Sequence, residues 1–423
     1  MPIHAICARF SVAAIAALAL SALLANGQQM SQGIGPAITL PGTPLEVALS
    51  PDGRHLAWVE GSHSGARIFV APLHNLAHQL AITTNPSNSA SCNERAPAWS
   101  NDGESLAFLS DCNNDAHHDT LYLARLFTGA PRKLALLDGA ASQLRFSSDD
   151  QWIAMLVVRH QQQLLALAST TAGHTTTTAL ANESNVVNFS WKPGASVLLA
   201  LAQKENGSSE MLEFAPASFN ASPRRLLSAS TTELAALEIA QAEWSPDGRE
   251  IAMIAGSSSA RGAVWLFNTQ TQQLRNLTSG RPTSSLWLQW QDAQHLFVTE
   301  HAGPNAQLLR YSFDPATQSE SHFGAPIFSL PGSVDTGENC MALSSLADHS
   351  LFVFRAQRPG HAPGLYAAKP AIVMNSGLEG LLELATSSSS STESSSAAVI
   401  SPHPHPLPWL CVAGTLTRRK ISR

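Results

Sequence analysis

Apolar positions between residues 40 and 370 fall in short runs, alternating or continuous, cut by clusters of Ser, Pro, Asp and Gly. Helical periodicity does not appear; runs of this length between turn residues read as strands. One segment returns along the chain. Leu49-Ser50-Pro51-Asp52-Gly53-Arg54-His55-Leu56-Ala57-Trp58 is echoed by Trp99-Ser100-Asn101-Asp102-Gly103-Glu104-Ser105-Leu106-Ala107-Phe108. It comes back as Phe146-Ser147-Ser148-Asp149-Asp150-Gln151-Trp152-Ile153 and as Trp244-Ser245-Pro246-Asp247-Gly248-Arg249-Glu250-Ile251. Weaker copies stand at Trp191-Lys192-Pro193-Gly194, Trp290-Gln291-Asp292-Ala293 and Ala347-Asp348-His349-Ser350.

Each copy reads as two strands around a tight turn. Pro presets φ at the first corner, Asp accepts from the backbone ahead of it, and Gly takes positive φ. Asp52, Gly53, Asp102, Gly103, Asp149, Asp247 and Gly248 are therefore turn residues, each explained by hairpin geometry alone. A further apolar segment follows most copies, among them Arg67 to Pro72, Thr120 to Leu126 and Ala263 to Asn268. A short fourth piece ends several, as at Gln79-Leu80-Ala81-Ile82-Thr83. Turn positions 52, 102, 149, 193, 247, 292 and 348 are separated by 50, 47, 44, 54, 45 and 56 residues. A four-stranded propeller blade takes roughly 40–50 residues. The chain is thus expected to be all-β, a β-propeller of about seven four-stranded blades over residues 36–370. Residues 37–44 either lend an outer strand to the last blade or leave the ring to close by packing alone.

The ends read differently. Arg9, the apolar run Phe10 to Leu24 and the small residues Ala25-Asn26-Gly27 are the three parts of a secretory signal peptide. The run is shorter than the roughly twenty residues of a membrane span, so residues 1–27 are expected to be removed. The mature chain should be exported, periplasmic or extracellular, with no membrane span. Residues 371–423 hold the serine runs Ser387 to Ser391 and Ser394 to Ser396, then His403-Pro404-His405-Pro406 and Arg418-Arg419-Lys420. They read as a low-complexity, disordered tail or as the product of a truncation or frameshift.

Composition narrows the function. A net charge of −6 and only 13% charged residues supply no basic patch of the kind that nucleic-acid binders need. Five Cys are present, and Cys7 lies in the signal segment. Cys92 and Cys112 bracket the second hairpin; with its turn centred near residue 102, opposed residues sum to about 204, as these two do. In an oxidising compartment they are expected to form a disulfide. Asp111, Asn113 and Asp115 are spaced like the opening of a calcium loop, with His117, His118 and Asp119 nearby, but the sixth and twelfth positions hold Ala116 and Tyr122 instead of Gly and Glu. A polar loop is the expectation, with no metal or cofactor.

The repeats at Ser50–Trp58 and Ser245–Met253 resemble those of TolB-like periplasmic propellers and of the N-terminal propellers of prolyl oligopeptidase-family serine peptidases. The resemblance implies a docking surface for protein partners in the first case. In the second it implies a cap that filters substrates for an α/β-hydrolase domain. That domain needs a G-x-S-x-G elbow between strand and helix. Gly61-Ser62-His63-Ser64-Gly65 puts His at the nucleophile position, and Gly256-Ser257-Ser258-Ser259-Ala260 ends in Ala. No catalytic residue is assigned. The expected function is binding of a protein or peptide, with the substrate-gating propeller of a truncated or split peptidase as the alternative.

Overall fold

The computed structural model describes residues 40, 43–62, 65–84, 92–112, 118–126, 129–171, 175–178, 185–204, 209–216, 223–227, 238–256, 262–278, 285–302, 305–313, 325–330, 333–334, 341–344, 351–357 and 364–368. The signal segment and the C-terminal tail lie outside them, as does the turn expected near residue 348. Among the described residues the fold is all-β, with no α-helix.

The strands form antiparallel meanders in chain order. In the first unit Thr43–Leu49, His55–Ser62, Gly65–Pro72 and Leu80–Ile82 pair successively. The next five units repeat this order, starting from Cys92–Trp99, Ala140–Phe146, Asn185–Trp191, Glu238–Trp244 and Ser285–Asp292. The first two are joined by a short parallel pairing of Gly65 with Cys92 and Ala66 with Asn93. The last unit departs from the four-strand expectation. Ser333–Val334 and Met341–Ser344 lie in tandem along one edge of Leu351–Gln357, and Gly364–Ala368 takes the other. Among the described residues it has three rows, the first of them in two pieces.

Both faces of each sheet are buried, which is why the strands read as continuous apolar runs. In His55–Ser62, Leu56 and Trp58 face one way and Ala57 and Val59 the other, as a two-residue period dictates. Among the described residues seven apolar clusters result, each built from two consecutive units, and one of them joins the last unit to the first. In that closing cluster Val47, Leu49, Leu56 and Trp58 meet Val353, Leu365 and Ala367. Thr43 and Pro44 pair within the first unit, so among the described residues closure is by packing, with no strand lent to the last unit.

Every first strand of the first six units carries an extra residue in its first half, at Leu45, within Ala96-Pro97, within Gln143-Leu144, and at Val187, Ala240 and Leu286, and the sixth has a second at Gln291. Such bulges bend a strand and raise its twist, here where the first strands of neighbouring units run side by side around the whole ring. Ala96 and Gln143 take φ of 54° and 60° at these bulges.

The turns share one design. The Ser50 hydroxyl donates to Asp52 Oδ1 at 2.5 Å and accepts from His55 N–H at 2.9 Å, while Asp52 Oδ1 accepts from Arg54 N–H at 3.0 Å. The same three bonds recur at Ser100/Asp102, Ser147/Asp149 and Ser245/Asp247. Gly53, Gly103 and Gly248 sit at φ of 66–71°, and Asp150 holds the same place at 55°. The serine, buried in all four, completes the turn that Asp and Gly begin. The hydroxyl of Ser100, with the Glu104 amide, holds the Asp102 carboxyl below its ordinary value of 3.8 and outweighs burial. At Asp52 and Asp149 burial pushes the other way and is overcome by the same hydroxyl and amide bonds.

A depressed folded-state pKa gives stability that is fully present above the unfolded value and lost as pH falls through the folded one. Ser100→Ala removes the hydroxyl from Asp102 and from the Ser105 N–H, and Asp102 stays hydrated. The cost at neutral pH should be about 1–2 kcal/mol, read from urea unfolding, and should shrink as the pH drops below 3.8. An equal penalty at both pH values would refute the charged hydroxyl–carboxylate bond.

Candidate functional site

Beyond the short pairing of Cys92 and Asn93 with the first unit, a first strand is paired along one edge only; its other edge lies against its neighbours in the inner ring. Backbone N–H groups there need partners, and side chains from the adjoining unit supply them. Glu46 Oε2 accepts from Ala96 N–H at 2.8 Å, and Asp119 Oδ2 from Ala141 N–H at 2.6 Å. Asn188 Oδ1 takes Ala242 N–H at 3.2 Å, and Ser190 Oγ takes Trp244 N–H at 3.3 Å. Gln241 grips both sides of Leu288, accepting its N–H at 3.1 Å and donating to its carbonyl at 2.8 Å. The aromatic residue before the turn ties in the opposite direction. Trp99, Trp191 and Trp290 donate their indole N–H to the carbonyls of Ala48, Arg145 and Glu243 in a preceding unit.

The inner ring also carries charge. Arg145 reaches past the fourth unit to Glu243, at 3.1 Å, with its guanidinium over the Phe189 ring. Arg95 makes a two-pronged pair with the buried Asp119 at 2.9 and 2.6 Å. The acids are thus already engaged: Glu46 and Asp119 with neighbouring amides, Asp119 and Glu243 with arginines. In the sequence only Asp119 stood out, beside the calcium-like spacing, and Glu46 and Glu243 did not. A signal was there, because Glu46, Gln143, Asn188 and Gln241 each stand four residues before the first turn position of their repeat. Gln143 breaks the pattern, since among the described residues its buried Oε1 has no partner.

The turn residues lie at one end of the strands and the cysteines at the other. Cys92 opens the first strand of the second unit and Cys112 follows the end of its second, with their sulfurs bonded and Cα atoms 4.9 Å apart. The register that brings them together differs from the simple count. The turn places Trp99 opposite Leu106, a sum of 205, which would set Cys92 against residue 113. The bulge at Ala96-Pro97 removes one, and Glu94 faces Ser110 with a sum of 204.

Around the pair, Asn93 donates its N–H and its side-chain amide to the two oxygens of Asp111. Glu94 Oε1 collects the hydroxyls of Thr83 and Thr84 and the Thr84 N–H, from the end of the first unit. Burial, then the Glu94 charge, raises the Tyr122 pKa nearby. Cys92, Asn93, Glu94 and Arg95 therefore make four successive cross-links. Residues 113–117 of the calcium-like spacing lie outside the described residues. So do His63 and Ser64; Ser62 donates to the Gly65 carbonyl at 3.0 Å inside a tight hairpin. Gly256 ends a strand, and residues 257–260 lie outside the described residues. Among the described residues no helix is long and apolar enough to cross a membrane.

No protein-family model and no curated protein matches this chain. Solved structures do. The β-propeller domain of the trilobed protease of Pyrococcus furiosus, which has an open velcro topology, aligns at a TM-score of 0.53 and 10% identity, over 79% of this chain and 99% of that one. The β-propeller domain of Cps50 (Swd1) from Myceliophteria thermophila aligns at 0.53 and 11%, over the same shares. TolB from Acinetobacter baumannii overlaps at 0.40 and 16% identity, over 67% of this chain and 65% of its own length, too low a score to bear on the fold. At these identities the first two speak to architecture alone, and the architecture is that of a β-propeller.

Proposed function

We propose that this chain is an exported β-propeller of seven blades that binds a protein or peptide and does no chemistry of its own. The observation that carries this reading is the engagement of the acids that bond the first strands. Glu46, Asp119 and Glu243 each hold a neighbouring strand or an arginine, an arrangement that stiffens a ring rather than one that activates a nucleophile. A rigid scaffold carrying loops at both ends of its strands suits recognition. Export rests on the Arg9 to Gly27 segment, and with it goes an oxidised Cys92–Cys112 pair. Residues 371–423 are a solvated tail in this reading.

A second reading keeps the ring and changes its use. The P. furiosus neighbour is the propeller of a protease, which favours a substrate-gating propeller whose hydrolase part is encoded separately. The two part at one experiment. The mature chain, purified from the exported fraction, is expected to start at Gln28, to give a linked Cys92–Cys112 peptide without reduction, and to leave a fluorophosphonate probe and peptidyl substrates untouched. It should bind a partner recovered from the same fraction in a reconstituted two-component assay. Probe labelling or hydrolysis by the chain would refute the non-catalytic reading. A neighbouring reading frame with a Gly-x-Ser-x-Gly elbow, whose product gains selectivity on adding this chain, would establish the second.

A further inference from the structure

We propose that the Cys92–Cys112 pair is the oxidised state of a thiolate-type metal site, and that the reduced chain binds one zinc-class divalent cation through Cys92, Cys112 and Asp111. The donor atoms of these three residues lie within 4.8 Å of one another. Tetrahedral zinc, with bonds of about 2.3 Å to sulfur and about 2.0 Å to oxygen, sets its ligands roughly 3.5–3.8 Å apart. Two thiolates and one carboxylate, with water in the fourth place, favour zinc over the hard cations calcium and magnesium.

The frame that brings the donors together does not depend on the sulfur–sulfur bond. Asp111 and Asn93 are linked three times: Asn93 N–H and Nδ2 donate to the carboxylate, and Asp111 N–H donates to the Asn93 carbonyl at 3.2 Å. The Asn93 bonds would also orient the carboxylate as an outer-shell partner does in a metal site. Cys112 N–H is held by Ser110 Oγ at 3.2 Å. The Cys92 backbone is pinned from the first unit, where Gly65 at φ 119° lies so close that a Cβ would sit 1.9 Å from the Cys92 carbonyl oxygen. Cys92 and Asp111 are half-buried and Cys112 is buried, so the site opens to solvent on one side.

The chemistry balances with a dithiol reductant. Its two electrons break the sulfur–sulfur bond, each cysteine sulfur takes a proton, and the reductant leaves as its own disulfide. The cation then displaces both protons to solvent and binds two thiolates. Oxidation reverses the sequence and releases the metal. The same end of the ring would thus exchange a covalent clasp for a metal one.

The test uses the full mature chain, reduced with dithiothreitol, freed of reductant without oxygen and titrated with cobalt(II). One cobalt per chain is expected, with thiolate-to-cobalt charge-transfer absorption that zinc abolishes; the oxidised chain should show none. Cys112→Ser should remove the band, and Asp111→Asn should weaken binding by about tenfold or more. The charge-transfer band separates this site from the histidines of the mature chain, which give no thiolate signal. Absence of the band from a reduced chain with native near-ultraviolet dichroism would overturn the proposal. So would a band that survives Cys112→Ser, or loss of the native dichroism on reduction, since the frame is argued to stand without the bond.

Discussion

The structure depends on how each sheet treats the inner edge of its first strand. A sheet buried on both faces can close a ring by stacking alone, but its innermost strand still presents backbone groups with no strand beside them. Unpartnered, each would cost about 1–3 kcal/mol. Glu46, Asp119, Asn188 and Gln241 remove that cost by reaching into the next unit. The bonds that satisfy the edge therefore also fix the spacing between units. The bulges belong to the same solution, since the extra residue turns the strand where the units converge.

The inner ring bears directly on function. Polar and charged side chains near the axis of a propeller invite an active-site reading. Here the carboxylates already hold amides or arginines, and Arg145 and Glu243 form a strut across an intervening unit. What such a ring offers a partner is shape and stiffness. Its loops and strand ends are left to do the recognising. At one of those ends Cys92 and Asn93 tie the second unit to itself, Glu94 ties it to the first unit and Arg95 ties it to the third.

Much of the fold was legible because it is local. Ser50-Pro51-Asp52-Gly53 encodes its turn in four residues, and its recurrence encodes the architecture. The structure added that the buried serine, besides Asp and Gly, completes each turn. Less local features were hidden. The bulges were not legible, since the aliphatic residues at their extra positions, Leu45, Val187, Ala240 and Leu286, are also what a regular strand carries. The pairing of Cys92 with Cys112 was read from a turn centre half a residue off, and the bulge at Ala96-Pro97 corrected the count. Glu46 and Gln241 stood in a visible column four residues before the turn, yet what they bind lies about fifty residues away along the chain. Only the ring brings the two together.

Amide hydrogen exchange at the inner edge tests this account most directly. The N–H groups of Ala96, Ala242 and Leu288 have side-chain partners from the adjoining unit. They should exchange as slowly as amides within the paired ladders, and Gln241→Ala should speed Leu288 while leaving Ala96 unchanged. Exchange at loop-like rates in the unaltered chain, or a Leu288 amide indifferent to Gln241→Ala, would contradict the claim that these side chains hold the ring.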